Sequence, residues 1–242
     1  MRVRLNSVSG VDDAIAALHE SKRTWSWEMD EEIRTIIEKA TDRHGRFKSN
    51  SLLTNEEEVK LSGWMRKVCK FGIKHITLLK FIDFSFCVEG MHRGGQDDWD
   101  SHAKRFDNRI IRASTRLASY GDEKSDYYKG KILTTDDVIR HLAIAMPPEV
   151  TVDGEKYVRA VNGYIREGLE GINDVKRGLY MLSIPSNFIF RVNLAEFAHV
   201  YKERGLHGTA HAEVKGLAET CAMLIEEAVP WFTRELLMEI KN

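Results

Sequence analysis

The sequence predicts an α+β fold, several helices packed on a small sheet, and three observations carry that prediction. Apolar residues recur at helical spacing through much of the chain: Leu61, Trp64, Met65 and Val68 make one stripe, and Val214, Leu217, Ala218, Cys221, Leu224, Ile225 and Ala228 make another. Near residue 84 the period falls to two, with Ile82, Phe84, Phe86 and Val88 on one face and Asp83, Ser85 and Cys87 on the other. A second extended stretch, Phe188 to Val192, offers that strand a partner.

Taken in order, Val3, Leu5 and Val8 open a short strand, and Val11, Ala14, Ile15 and Leu18 form a short helix after Gly10. Asp30 is the expected cap of a second helix, with Glu31 and Glu32 in its first turn and Ile33, Ile36 and Ile37 inward. Residues 45 to 51 read as a polar loop. Thr54 followed by Glu57 has the form of a capping box and starts the helix that carries Trp64. The strand through Phe86 is expected to end in E-G-M-H-R-G-G-Q, residues 89 to 96, a glycine-rich turn that either closes the strand or lets backbone approach a ligand.

Residues 101 to 116, S-H-A-K-R-F-D-N-R-I-I-R-A-S-T-R, are the one strongly basic cluster. If helical, Arg105, Arg109, Arg112 and Arg116 fall on a single stripe beside Phe106, Ile110, Ala113 and Leu117. Such a stripe is either a solvated, internally paired face or an anion site. Tyr120 to Gly130 is charged and loop-like, and a helix is expected over Thr135 to Met146 with Ile139, Leu142, Ala143 and Met146 buried, stopped by Pro147-Pro148. Asp153-Gly154 is a turn signal. A further helix is expected from Lys156 to Leu169 with Tyr157, Val161, Tyr164 and Ile165 inward, and a last long one from Ala210 to Ala228.

The chain has 242 residues and no linker, which favours one domain over 1–242. Its net charge of −1 gives no global field for a polyanion, so such a partner must be met by a local cluster. The three cysteines, Cys69, Cys87 and Cys221, are far apart in apolar segments and read as buried free thiols in a reducing cytoplasm. Neither a signal peptide nor an apolar run of membrane-spanning length is evident, so a cytoplasmic protein with no membrane partner is expected. His207 and His211 in H-G-T-A-H have a spacing that binds metal on a helix, but no third ligand is evident and the expected metal set is none.

The most informative stretch is Arg177 to Arg204. Apolar positions explain most of it, yet Arg177, Asn193, His199 and Arg204 are not residues that a core requires. G-I-N-D-V-K-R, ending at Arg177, and N-L-A-E-F-A-H-V-Y-K-E-R, from Asn193 to Arg204, resemble in form and separation two motifs of the flavin-dependent thymidylate synthases, G-V/I-x-x-E/D-x-A-R-x-x-L-P and N-L-R-x-L-x-H-F-x-x-x-R. K-H-I-T-L-L-K-F before I-D-F-S-F resembles the family's G-H-x-S-x-x-E-H before its strand, and E-G-M-H-R resembles E-G-I-S-R. The resemblance covers roughly residues 60 to 235. It departs at Ala195, where the family has arginine, at Phe81 in place of a histidine, and at Tyr180-Met181 in place of Leu-Pro. The signature R-H-R-x-x-S-x-N-E-x-S-x-R is matched by His102 in W-D-S-H-A, with Ser101 and Ala103 replacing its arginines. Ser114 and Arg116 match its far end after an insertion.

The resemblance implies the family fold and a thymidylate synthase reaction, the transfer of a one-carbon unit from methylenetetrahydrofolate to C5 of dUMP with reduction through FAD and NADPH. It implies Ser114 and Arg116 as catalytic positions. Arg112, Arg116, Arg177 and Arg204 become nucleotide contacts, and His75, Thr77, His102, Asn193 and His199 flavin contacts. It also implies a homotetramer. Arginine suits the nucleotide role because its planar fork binds phosphate or a pyrimidine carbonyl. The altered signature leaves two alternatives: action on another pyrimidine nucleotide, including hydroxymethylation, or a non-catalytic protein that binds nucleotide or nucleic acid through Arg105 to Arg116.

Overall fold

The computed structural model describes residues 1–49, 51–102, 109–113, 124–143, 145–160, 163–172, 175, 179, 182–206, 210–232 and 236. The chain forms two compact units. The larger comprises Val3–Val88, Asp98–Ile111 and Ile189–Asn242, and the smaller Met1–Arg2, Glu89–Asp97 and Arg112–Phe188.

The elements are β1 (Arg2–Ser9), α1 (Val11–Ser21), α2 (Trp27–Ala40), α3 (Asn55–Lys74), a 3-10 turn (Ile76–Phe81), β2 (Asp83–His92), α4 (Arg93–His102), β3 (Arg109–Arg112), α5 (Thr135–His141), β4 (Glu149–Val152), β5 (Glu155–Ala160), β6 (Gly163–Arg166), β7 (Pro185–Asn193), α6 (Leu194–Val200), a π turn (Tyr201–Gly205) and α7 (Ala212–Ala228). One sheet has four strands in the order β1-β2-β7-β3, so the two strands expected to pair are neighbours at its centre. The α+β prediction is borne out.

Alternation builds the core of the larger unit. Phe84 and Phe86 on β2 and Phe190 and Val192 on β7 are buried, and the rings of Phe86 and Phe190 stack at 5.1 Å. Each such ring removed from water contributes about 1.5–3 kcal/mol. The helices add Ile15, Leu18, Ile33, Ile36, Trp64, Met65, Leu217, Cys221 and Ile225, all buried. Burial also pushes the Cys221 thiol well above its ordinary pKa, which makes it unreactive. The Thr54 capping box forms: Glu57 N–H donates to Thr54 Oγ1 at 3.3 Å, and Thr54 N–H to Glu57 Oε2 at 2.8 Å. α2 is capped by Ser26, whose hydroxyl accepts from Met29 N–H at 3.2 Å, and not by Asp30. A serine four residues before Asp30 reaches the first free amides, whereas Asp30 lies inside the helix and pairs with Arg34 at 2.9 Å. No helix among the described residues is long and apolar enough to cross a membrane.

The smaller unit departs most from expectation. The helix expected over Lys156 to Leu169 is a hairpin: β4, β5 and β6 form an antiparallel three-stranded sheet. Val152 pairs with Glu155, leaving Asp153-Gly154 as a two-residue loop with φ of 51° and 80°. Both positive angles belong to the tight turn whose twist matches two antiparallel strands, and that local geometry overrides the helical spacing of Tyr157, Tyr164 and Ile165. Lys156 bridges Glu149 at 2.7 Å and Glu167 at 3.0 Å, and the two carboxylates push its pKa up. The helix expected over Thr135 to Met146 ends at His141, with Leu142 58% exposed and Ala143 at φ 54°. Val138 and Leu142 are exposed, so the expected apolar stripe is not buried among the described residues, and the Thr134–Asp137 capping box holds only the first turns. The turn expected at residues 89 to 96 is instead the end of β2 and the start of α4. Gly95 is there for packing: a Cβ would sit 2.6 Å from the His92 ring.

Candidate functional site

Asn193 ends β7 and starts α6. It is buried, and its side-chain oxygen accepts the Glu196 N–H at 2.9 Å, so the residue expected to touch flavin is also a helix cap. Leu194 N–H donates to the Ile82 carbonyl at 2.8 Å, which ties the start of α6 to the residue after the 3-10 turn. α6 and the 3-10 turn pack on each other. His75 precedes that turn, with its ring stacked on Phe71 at 4.3 Å, and Thr77 lies within it. His75 and Thr77 are exposed, as is His199, between buried Ala198 and Val200 on α6. Four of the five expected flavin contacts therefore sit on or beside two touching elements of one unit. The fifth, His102, closes α4, and its side chain lies outside the described residues.

α6 runs into the π turn, where Leu206 N–H donates to the Tyr201 carbonyl at 3.1 Å. Such a wide turn inside a helix is uncommon and recurs at functional sites. Gly205 permits it, since a Cβ would come 2.7 Å from the Tyr201 ring. Burial, and then the charge of Glu219, push the Tyr201 pKa up, keeping its hydroxyl protonated. Arg204 sits on this turn with its side chain 18% exposed. Its Nη2 donates to Asp98 Oδ1 at 3.2 Å, while its Nε is buried and has no acceptor among the described residues. An orphaned buried donor costs about 1–3 kcal/mol, which a ligand acceptor would recover. Asp98 is held by its neighbour Trp99, buried and 5.3 Å from the Phe190 ring.

The basic cluster is resolved differently. Arg109 to Arg112 is a strand, favoured by the β-branched Ile110-Ile111 pair, so Arg109 and Arg112 are three residues apart on opposite faces and the expected helical stripe does not form there. Arg109 Nη2 meets both oxygens of Asp83, at 3.1 and 3.0 Å, and Asp83 also pairs with Arg191 at 3.2 Å. In the smaller unit Arg112 pairs with Asp97 and donates to the Gln96 carbonyl at 3.3 Å. Arg105, Ser114, Arg116 and Arg177 lie outside the described residues. Sequence reasoning missed the carboxylates: Asp97, Asp98 and Asp100 form an acidic run directly before the basic one, and that reversal of charge was the available signal. Among the described residues no group of three or more His, Cys, Asp or Glu is placed to hold a metal. His211 Nδ1 accepts the Glu213 N–H at 3.3 Å as the cap of α7, while His207 lies outside the described residues.

The family described as thymidylate synthase complementing protein matches residues 14–231. The chain belongs to the flavin-dependent thymidylate synthases. Two solved structures of thymidylate synthase X from Helicobacter pylori, both described as holding FAD and dUMP, share the fold of this family member. One has a TM-score of 0.55 at 12% identity and covers 100% of both chains; the other has 0.54 at 13%, covering 98% of this chain and 100% of its own. No curated protein matches the chain in sequence.

Proposed function

We propose that this member of the family is a flavin-dependent thymidylate synthase, transferring a one-carbon unit from methylenetetrahydrofolate to C5 of dUMP at the expense of NADPH. The observation that carries the reading is Arg204, a largely covered guanidinium with an orphaned Nε, on a π turn continuous with the helix that holds Asn193 and His199. Membership of the family and the FAD and dUMP of the Helicobacter pylori relatives support it.

The side chains present fit FAD. His75, Thr77 and His199 offer exposed ring nitrogens and a hydroxyl on adjoining elements, a donor set suited to the polar edges of a flavin. Asn193 adds a carboxamide nitrogen, its oxygen being occupied by the helix cap. FAD, when bound, supplies the redox chemistry that amino-acid side chains lack. The chain's own residues then bind and orient: Arg204 with Arg112, Arg116 and Arg177 toward the nucleotide, Ser114 and Arg116 at the reacting end, and His75, Thr77, His102, Asn193 and His199 toward the flavin. The proposal extends to a homotetrameric, cytoplasmic enzyme acting as one domain over 1–242.

A visible absorbance spectrum tests it. The purified chain with added FAD is expected to keep flavin bands after desalting, to shift them on addition of dUMP, and to gain thermal stability with FAD. A colourless protein with no thermal gain would overturn the proposal.

A further inference from the structure

The main chain at His75 is fixed on both sides. Its N–H donates to the Phe71 carbonyl at 2.9 Å, and its own carbonyl accepts the Leu78 N–H at 3.0 Å, which joins the end of α3 to the 3-10 turn. Gly72 closes that join: it is buried, and a Cβ there would meet Leu79 Cδ2 at 2.3 Å. The exposed imidazole still has two side-chain torsions, and ordering a free side chain on binding costs affinity. Phe71, one helical turn earlier, stacks on the ring with centroids 4.3 Å apart and planes 28° from parallel. Phe71 is itself half-buried, and Lys22 Nζ lies 5.7 Å from its ring centroid. Among the described residues no hydrogen bond or ion pair engages the His75 side chain, so the stack settles the ring's orientation and leaves its nitrogens open.

We infer that Phe71 is a positioning residue for flavin binding: its ring holds the His75 imidazole in one orientation before FAD arrives, so that the cofactor meets an ordered group and not a rotating one. The inference rests on His75 being a flavin contact. It goes further by assigning the order of that contact to a residue outside the set of flavin contacts.

The test is fluorescence titration of the full chain with FAD, in wild type, Phe71→Leu, Phe71→Met, Phe71→Tyr, His75→Ala and the double variant Phe71→Leu with His75→Ala. The melting temperature of each FAD-free protein measures the fold. Leucine and methionine keep apolar bulk at a half-buried position but cannot stack, so each is expected to weaken FAD binding roughly fivefold while melting as wild type does. Tyrosine keeps the ring and is expected to retain wild-type affinity. Once His75 is alanine, Phe71→Leu is expected to cost nothing more, because the imidazole it would have held is gone. An equal loss with and without His75 would mean that Phe71 acts on the fold, and would overturn the inference. Wild-type affinity in both ring-free variants, beside a loss in His75→Ala, also overturns it and leaves the flavin reading standing. If His75→Ala binds FAD as wild type does, the flavin reading of His75 fails and takes the inference with it.

Discussion

Arg204 and Arg109 both face an aspartate near 3 Å, yet they differ in every property that matters for binding. Arg109 is 60% exposed, sits on a short strand and is doubly engaged by Asp83. Arg204 is 18% exposed, sits on a π turn, and keeps a buried donor unmet among the described residues. Arginine content alone does not mark a site. Exposed, satisfied guanidinium groups are surface structure, worth about 0–1 kcal/mol each. A covered group with an open donor retains hydrogen-bonding capacity that a ligand can use. The same contrast weakens the nucleic-acid alternative at Arg109, whose exposed guanidinium is already engaged by both oxygens of Asp83.

The largest effect expected from breaking this arrangement comes from its support. Trp99→Ala removes a buried ring beside Phe190 and should cost about 3–5 kcal/mol in denaturant unfolding, unseating the helix that carries Asp98. An unchanged midpoint would show that α4 is anchored elsewhere. Next, Arg204→Ala should weaken dUMP binding roughly a hundredfold, as befits loss of charge-assisted hydrogen bonds of about 1.5–3 kcal/mol each. Arg204→Lys keeps the charge but has no Nε donor, so it should lose nearly as much in calorimetry; full affinity in the lysine variant would reduce Arg204 to a point charge. Arg109→Ala should change dUMP affinity less than about twofold and stability by at most ~1 kcal/mol. A loss equal to that of Arg204→Ala would erase the distinction between the two arginines.

How much was legible in the sequence follows the same division. Period-two alternation in Phe84 to Val88 and helical spacing in Leu61 to Val68 report burial directly, and those elements were read correctly. At Asp153-Gly154 the helical spacing that follows misleads, because the two-residue turn fixes backbone angles and the spacing does not. Helical spacing also misleads at Leu142, which lies beyond the end of α5 and is exposed. For the site, resemblance pointed to His75, Thr77, Asn193, His199 and Arg204, which lie on or beside connected or touching elements. The π turn and the Asp98 partner were not legible, because one is a backbone geometry and the other joins residues 106 positions apart.

The smallest expected effect concerns a surface carboxylate that escapes the weakness of Arg109–Asp83 because it has two jobs. Glu57 accepts from Lys39 Nζ at 2.8 Å and from the Thr54 amide at 2.8 Å, and these bonds draw its pKa from 4.5 down to about 2. A carboxylate whose pKa is lower folded than unfolded binds fewer protons in the native state over that interval. Its stabilising contribution is therefore complete above about pH 4.5 and is lost as pH falls through about 2. Glu57→Gln can keep part of the capping geometry but cannot titrate, so its melting temperature should fall less steeply than that of wild type between pH 4.5 and pH 2. Parallel curves for the two proteins would mean that the Lys39 bridge is as inconsequential as the exposed arginine pair, and that covering, more than pairing, separates the two kinds of charge in this molecule.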